Sequence, residues 1–439
     1  MDESEINESP RDRADSATFM GWSMATCIVA ILLVAGINGV VDPYLRFEWF
    51  RIERVNAYRP KAVGQVRMAK AYQIRRVEPR TVVLGNSRVD LGIDPQSKTW
   101  PANVSPVYNA GQPGGGMWAN LYYLRHAAYG RKIDHVVLGV DFFDFFRDQS
   151  KSSEIDSSRN DVRRLLTDAE GRSNQQRWKS LVSDTVRSIA SISAMCDSAL
   201  TVASQSDPNV ADIGTRGLTS GEPFRPIIWR QGQRSLVDEK NADYRRKLQV
   251  KNGDIFDRSN DRTKDRESAD WDYLDELIGF CDENEIRLTV FLHPYHAELL
   301  QLIDQSDRWR FFDDWKRELV VRCERSNQAI DVWDFACVTP VTSEPIPQPE
   351  DRDTIMRWYW ESGHYRREAG ELILACMFGD AADRDRAESL ISGKKLDPQV
   401  IEKHLSQQRT LISQRRNETD AGDHSVPVST NLSSTETAE

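Results

Sequence analysis

Residues 17–41 contain no charged side chain, and no other feature of this chain limits its fold so tightly. About 20 apolar residues cross the hydrocarbon core of a bilayer as a helix, so the run is long enough to span one. A secretory leader would begin basic, carry a shorter apolar centre and end in a small-residue cleavage site. Residues 1–16 are instead acidic, with Asp2, Glu3, Glu5 and Glu8, and only Arg11 and Arg13 stand close to the run. The expectation is an uncleaved, single-pass anchor whose first partner is the lipid bilayer. Arg46, Arg51, Arg54, Arg59 and Lys61 follow it and outnumber the two arginines before it. The positive-inside rule then favours a cytoplasmic body, although large domains are translocated largely regardless of charge.

Beyond the anchor, a chain of 439 residues has room for one large or two ordinary domains. Its net charge of −10 argues against a nucleic-acid partner, which would need a basic face to neutralise phosphates. Cys27 lies in the apolar run. Cys196, Cys281, Cys323, Cys337 and Cys376 form no C-x-x-C pair and read as small buried hydrophobes.

Strand-like runs occur at 81–84, 104–108, 135–140, 287–292 and 329–335. Between them lie helical stripes: Trp118, Leu121, Tyr122 and Arg125; then Trp271, Leu274, Leu277, Ile278 and Cys281; then Phe312, Trp315, Leu319 and Cys323. A last stripe holds Tyr365, Ala369, Leu372, Ile373 and Cys376. This alternation predicts an α/β domain over 42–379 with a parallel sheet covered on both faces. Right-handed crossovers bring the strand C-terminal ends to one edge, where ligands of such folds bind. Ser87, Gly111, Asp141, His293 and Asp334 would all emerge there.

Two regions break the repeat. Residues 149–266 are polar and interrupted by Gly and Pro; they read as a long insertion, with helical pieces at 160–166 and 178–203, acting as a lid or docking surface and mobile in part. Residues 380–439 read as one charged helix followed by disorder.

The segment Thr81-Val-Val-Leu-Gly-Asn-Ser-Arg88 is a short β-branched run that breaks at a glycine and delivers a serine. Such a turn holds a hydroxyl at the edge of a sheet. Taken alone, the serine reads as readily as a helix N-cap. Seven histidines make the search for a base short. Only His364, in Glu361-Ser-Gly-His364, has a carboxylate three residues before it, which on a helical first turn would hold the imidazole tautomer. Ser87, His364 and Glu361 together suggest nucleophile, base and orienting acid. His293, His296 and Glu298 form H-x-x-H-x-E, but Pro294 interrupts the helix a metal set would need, leaving substrate contact or loop packing. Arg88 could meet an acidic substrate group, or Asp90 or Asp94. The aromatics of Asp141-Phe-Phe-Asp-Phe-Phe146 read as core or interface.

Together these residues resemble the SGNH/GDSL hydrolase superfamily. The likeness is greater to its membrane-anchored branch in cell-envelope and exopolysaccharide loci, such as the alginate O-acetylation and teichoic-acid D-alanylation proteins. It rests on Val41-Asp-Pro-Tyr-Leu-Arg-Phe47, Leu84-Gly-Asn-Ser-Arg88, Tyr108-Asn-Ala-Gly111 and Tyr359-Trp-Glu-Ser-Gly-His-Tyr365. The resemblance implies a flavodoxin-like three-layer α/β/α sandwich and an extracytoplasmic body. It makes Ser87 the nucleophile, His364 the base and Glu361 the orienting acid, where the family usually has Asp. Gly111, two residues after Asn109 in that third block, matches the oxyanion glycine, whose N–H would act with that of Ser87.

No metal and no cofactor is implied. The implied substrate is an ester-bearing envelope or extracellular polysaccharide, and the implied partners are membrane-bound acyltransferase or polysaccharide-export components. Acyltransferase and esterase share this chemistry and are not separated by the sequence. Two further departures stand out. Asn86 replaces the acid of Gly-Asp-Ser, and Asp141 replaces the asparagine that donates to the oxyanion. A carboxylate there would repel the developing charge unless another donor substitutes. That departure keeps open a non-enzymatic scaffold or carbohydrate-binding subunit.

Overall fold

The computed structural model describes residues 10–148, 162–250, 253–256 and 269–420. Helix Pro10–Val41 comes first, and its stretch Thr18–Val41 is long and apolar enough to cross a membrane. A fixed corner follows. The Asp42 carboxylate accepts the N–H groups of Arg46 (2.7 Å), Phe47 (3.0 Å) and Glu48 (2.7 Å). Asn56 reaches back to the Val40 carbonyl at 2.8 Å, and the Arg46 guanidinium lies 3.7 Å over the Tyr72 ring. The Val40 carbonyl, one of those left free where the helix ends, is thus satisfied by a side-chain donor.

The body is built on a six-stranded sheet: β1 Thr81–Leu84, β2 Val107–Asn109, β3 His135–Val140, β4 Arg287–Leu292, β5 Asp331–Asp334 and β6 Lys394–Leu396. Their spatial order is β6-β5-β4-β3-β1-β2. All pairs are parallel except β5 with β6. Leu84 lies opposite Leu138, Val140 opposite Leu292, and Leu292 opposite Asp334. The C-terminal ends therefore form one edge.

Alternation along the strands divides the core in two. Val82, Leu84, Val136, Leu138, Val140, Val290 and Leu292 pack with helices Met117–Ala128, Ala269–Glu283 and Trp309–Glu324 on one face. Val83, Val137 and Phe291 pack with helices Arg367–Phe378 and Ala381–Ile391 on the other. Each such buried side chain contributes roughly 1.5–3 kcal/mol. Phe142 and Phe145, fully buried, lock the loop after β3 against Phe312 and Trp315.

Two expectations need correction. Residues after 380 do more than form one helix. After helix Ala381–Ile391 the chain adds β6 and then helix Ile401–Asp420, whose Ile401, Leu405 and Ile412 are buried in the first core. The described part of 149–266 is also no loose lid. Helices Arg177–Ala190, Ile192–Ala203, Phe224–Gln231 and Gln233–Leu248 carry it, while Val162 to Leu166 forms mostly turns. Gln233 donates to the carbonyls of Tyr359 (2.9 Å) and Trp360 (3.1 Å), and Arg234 grips both oxygens of Glu298. These polar pairs add to apolar contacts that hold the segment to the body, with Tyr244 and Leu248 in the first core and Ile228 and Leu236 packed on Trp360. Residues 149–161, 257–268 and 421–439 lie outside the described residues.

Candidate active site

β1 is followed by Gly85, whose φ of 152° and contact with the Val89 side chain leave no room for a Cβ. The chain then turns into the short helix Ser87–Gly92, with Asn86 as its N-cap accepting the Arg88 N–H at 3.0 Å. Ser87 is therefore the first helical residue rather than the cap. Its neighbours from Thr81 to Asp90 are buried, and Ser87 alone among them is partly exposed. Among the described residues its N–H has no acceptor.

Glu361 and His364 sit opposite each other on a hairpin formed by Tyr359–Glu361 and His364–Tyr365. The i, i+3 spacing thus works across a β-turn and not along a helical turn. His364 Nε2 lies 2.7 Å from Ser87 Oγ, and its Nδ1 is hydrogen-bonded to Glu361 Oε1. The other Glu361 oxygen accepts the Gly363 N–H at 2.7 Å. Glu361 is wholly buried, while the His364 side chain keeps 18% of its surface exposed. Burial alone would raise the Glu361 pKa. The His364 charge and hydrogen bond, the Gly363 N–H and the Arg88 charge outweigh it and hold the carboxyl down to about 2. An ionised acid fixes the proton on Nδ1 and leaves Nε2 free to accept one.

Arg88 braces this arrangement from beneath. Its guanidinium donates to the Gly363 carbonyl (2.7 Å), to the Tyr244 hydroxyl (2.9 Å) and to Asp141. It pairs with neither Asp90 nor Asp94. Asp90 is held by the buried Lys70 at 2.5 Å and Thr219 at 2.7 Å, and Asp94 faces Arg367 at 3.6 Å. Asp141 also receives Asn86 Nδ2 (2.6 Å) and the Tyr295 hydroxyl (2.5 Å). Its charge is therefore matched by Arg88, and both of its oxygens are occupied. Asn86, Tyr244 and Tyr295 were not among the expected site residues. Asn86 stood in plain view in the nucleophile motif, whereas nothing in the sequence around Tyr244 or Tyr295 marks them.

No family model, no curated protein and no solved structure matches this chain. The reading of the site therefore rests on its own geometry.

The remaining expected residues play other parts. The Gly111 N–H is given to Asn109 Oδ1 at 2.9 Å, so it is not a waiting oxyanion donor. A Cβ on Gly111 would come 2.5 Å from the Asp90 amide nitrogen, so this position serves close packing on the Ser87 helix. Asn109 Nδ2 donates to the carbonyls of Val89 and Ile93, both at 2.7 Å, clamping the end of that helix. His293 is fully buried beside Tyr365, 3.3 Å from its hydroxyl. Burial, helped by the charges of Arg88 and His364, lowers its pKa well below the usual imidazole range and keeps it neutral. His296 caps helix Ala297–Gln305 and donates to the Glu344 carbonyl at 2.8 Å, away from any opening. Neither histidine is placed to touch a substrate.

The H-x-x-H-x-E donors diverge, since Glu298 turns to Arg234. A different trio, Asp334, Cys337 and His404, places its donor atoms within 4.8 Å of one another. The Lys316 ammonium sits 2.7 Å from the same Asp334 oxygen that His404 faces, supplying the positive charge a metal would bring.

Proposed function

We propose that this chain is a membrane-anchored, SGNH-like acyltransferase or esterase acting on ester groups of an envelope or extracellular polysaccharide through an acyl-serine. The observation that carries the proposal is the linear chain Ser87 Oγ–His364–Glu361, in which only serine and histidine reach solvent. Ser87 Oγ attacks the ester carbonyl and passes its proton to His364 Nε2, and Glu361 stabilises the imidazolium. The Ser87 N–H donates to the oxyanion. Collapse returns the proton from His364 to the leaving alcohol. Water or a sugar hydroxyl then attacks the acyl-serine by the same path in reverse.

The five parallel strands run in the order 2-1-3-4-5, with antiparallel β6 beyond β5, and that order supports a flavodoxin-like reading, in which ligands bind where the order reverses, between β1 and β3. Ser87 follows β1 and Asp141 follows β3, so the triad edge lies at that reversal. The two departures from the family motifs also answer each other. Asn86 stands where the family has an acid, Asp141 where it has an asparagine, and the pair remains hydrogen-bonded at 2.6 Å. The polysaccharide substrate, the extracytoplasmic body and the acyltransferase or export partners rest on the family resemblance.

A second reading, a carbohydrate-binding scaffold without chemistry, is favoured by the engagement of the Gly111 N–H with Asn109. Incubation with an activated acetyl ester, followed by peptide mass spectrometry, separates the two. One acetyl group on the Ser87 peptide, lost on adding an acceptor glycan or on standing in water, supports the enzyme. A folded protein that never acquires it supports the scaffold.

A further inference from the structure

Helices Arg177–Ala190 and Ile192–Ala203 form a hairpin that is inside out for a soluble protein. Its inward side buries Asp184, Ser188, Ser198 and Thr201, with Ala194 and the half-buried Leu181 packed on Tyr44, Met68 and Tyr72 as its apolar part. Its outer side presents Trp178 (61% exposed), Val182 (52%), Val186 (53%), Ile192 (83%) and Leu200 (50%). An ordinary surface helix does the reverse. Asp184, Ser198 and Thr201 are nevertheless hydrogen-bonded, Thr201 to the Asp197 carbonyl at 2.8 Å. Asp184 holds the Tyr72 hydroxyl (2.8 Å) and Arg164 (2.7 Å), and Ser198 donates to Asn38 at 2.9 Å.

Asn38 lies in the last turns of the apolar helix Pro10–Val41 and also donates to the Ile189 carbonyl at 3.0 Å. Both hairpin helices pack along that helix. The outward apolar side chains therefore stand beside the point where the anchor would leave the bilayer. Just after the anchor, Trp49 and Phe50 are exposed at 64% and 53%. Lys179 and Arg187 flank the apolar stripe and are exposed, as headgroup phosphates would favour.

We propose that this hairpin, with the Trp49–Phe50 loop, is embedded in the headgroup–acyl boundary of the leaflet where the anchor ends. The catalytic body is then seated on the bilayer at a fixed tilt and does not swing on a tether. The lipid surface is the occupant favoured by continuity with the anchor, and the proposal rests on that anchor and not on acyl-serine chemistry. It also gives the insertion a role that neither lid nor loose linker would.

The test uses the full chain in vesicles of zwitterionic and anionic phospholipid. Cys27 and Cys196, the exposed cysteines, are changed to Ser. Single spin labels are placed at Val182, Val186, Ile192 and Leu200, with Leu32 reporting the anchor and Arg310, 84% exposed in its side chain, reporting water. Collision with oxygen and with a water-soluble nickel chelate is then compared. The expected result is an oxygen-to-nickel ratio several-fold above that of Arg310 at all four hairpin positions. Nickel access equal to that of Arg310 overturns the proposal, and so does shielding from both reagents, which would mean a second copy covers the face. A Leu32 label without lipid contact would overturn the anchor reading and this proposal with it.

Discussion

Two strand ends of this sheet carry nearly the same chemical set. After β1 stand Ser87, His364, Glu361 and the cation Arg88; after β5 stand Cys337, His404, Asp334 and the cation Lys316. In the first, the imidazole uses opposite nitrogens, Nε2 toward the hydroxyl and Nδ1 toward the acid. In the second, one nitrogen does both jobs: His404 Nε2 lies 2.9 Å from Asp334 and 3.6 Å from Cys337 Sγ. No proton can be relayed through a ring held that way. The first set opens to solvent at its hydroxyl and imidazole, whereas Cys337, His404 and Asp334 are all buried. Burial raises the Cys337 thiol well above its usual range, so it stays protonated and inert. Nucleophile, imidazole and acid make a site only when they are in line and reachable; otherwise they form a latch, here holding helix Ile401–Asp420 to the sheet.

The largest expected contrast is catalytic. Glu361→Gln should slow hydrolysis of an activated acetyl ester by on the order of 10²–10⁴-fold, while His404→Ala, measured on the folded fraction, should leave the rate unchanged. A rate loss shared by both would break the distinction. Next in size is Asp334→Ala, which strands the Lys316 ammonium in the core. Urea unfolding should show a loss of about 3–5 kcal/mol with the ester rate of the folded protein intact.

Acid should weaken both ends. Asp334, like Glu361, is held down to about 2, its burial outweighed by Lys316 and His404. For carboxyls with lowered folded values, the stability gained is fully present above their ordinary values of 3.8 and 4.5 and is lost as pH falls toward 2. Glu361→Gln should therefore flatten the acid limb of a stability–pH curve, and an unchanged limb would mean the carboxyl is not held low. The smallest effect is reserved for Tyr244→Phe, which removes one hydrogen bond to a charged group at Arg88. It should cost about 1.5–3 kcal/mol in thermal or urea unfolding and only a few-fold in rate.

The parts legible in the sequence are those whose physics is local. Strands Thr81–Leu84, His135–Val140 and Arg287–Leu292 follow from β-branched and apolar runs buried on both faces. β2 begins at Val107, later than the expected 104, because residues 102–104 form a 3₁₀ turn. β5 is shorter than 329–335: its ladder with β4 runs from Asp331 to Asp334, with one further bond from the Phe335 N–H to the Leu292 carbonyl at 3.2 Å. Lys394–Leu396 has a single apolar side chain and becomes a strand only because the β5 edge is open to it.

Within the site, Ser87, His364 and Glu361 could be picked out by residue type and spacing. The Arg88–Asp141 pair could not, since no motif links the two residues before the pairing of β1 with β3 brings the ends of those strands together. The engagement of Gly111 was readable in principle. An Asn two residues ahead of a glycine can take its N–H in an Asx-turn, which is the contact observed.

The most direct test of the central claim is covalent labelling of the full-length, detergent-solubilised protein with a fluorophosphonate probe, mapped by peptide mass spectrometry beside Ser87→Ala. An adduct is expected on Ser87 in the unaltered chain, with its loss in the Ser87→Ala protein and no modification at Cys337. A folded, unaltered protein that carries no adduct at Ser87 would overturn the acyl-serine proposal and leave Ser87, His364 and Glu361 as a structural latch that happens to reach solvent.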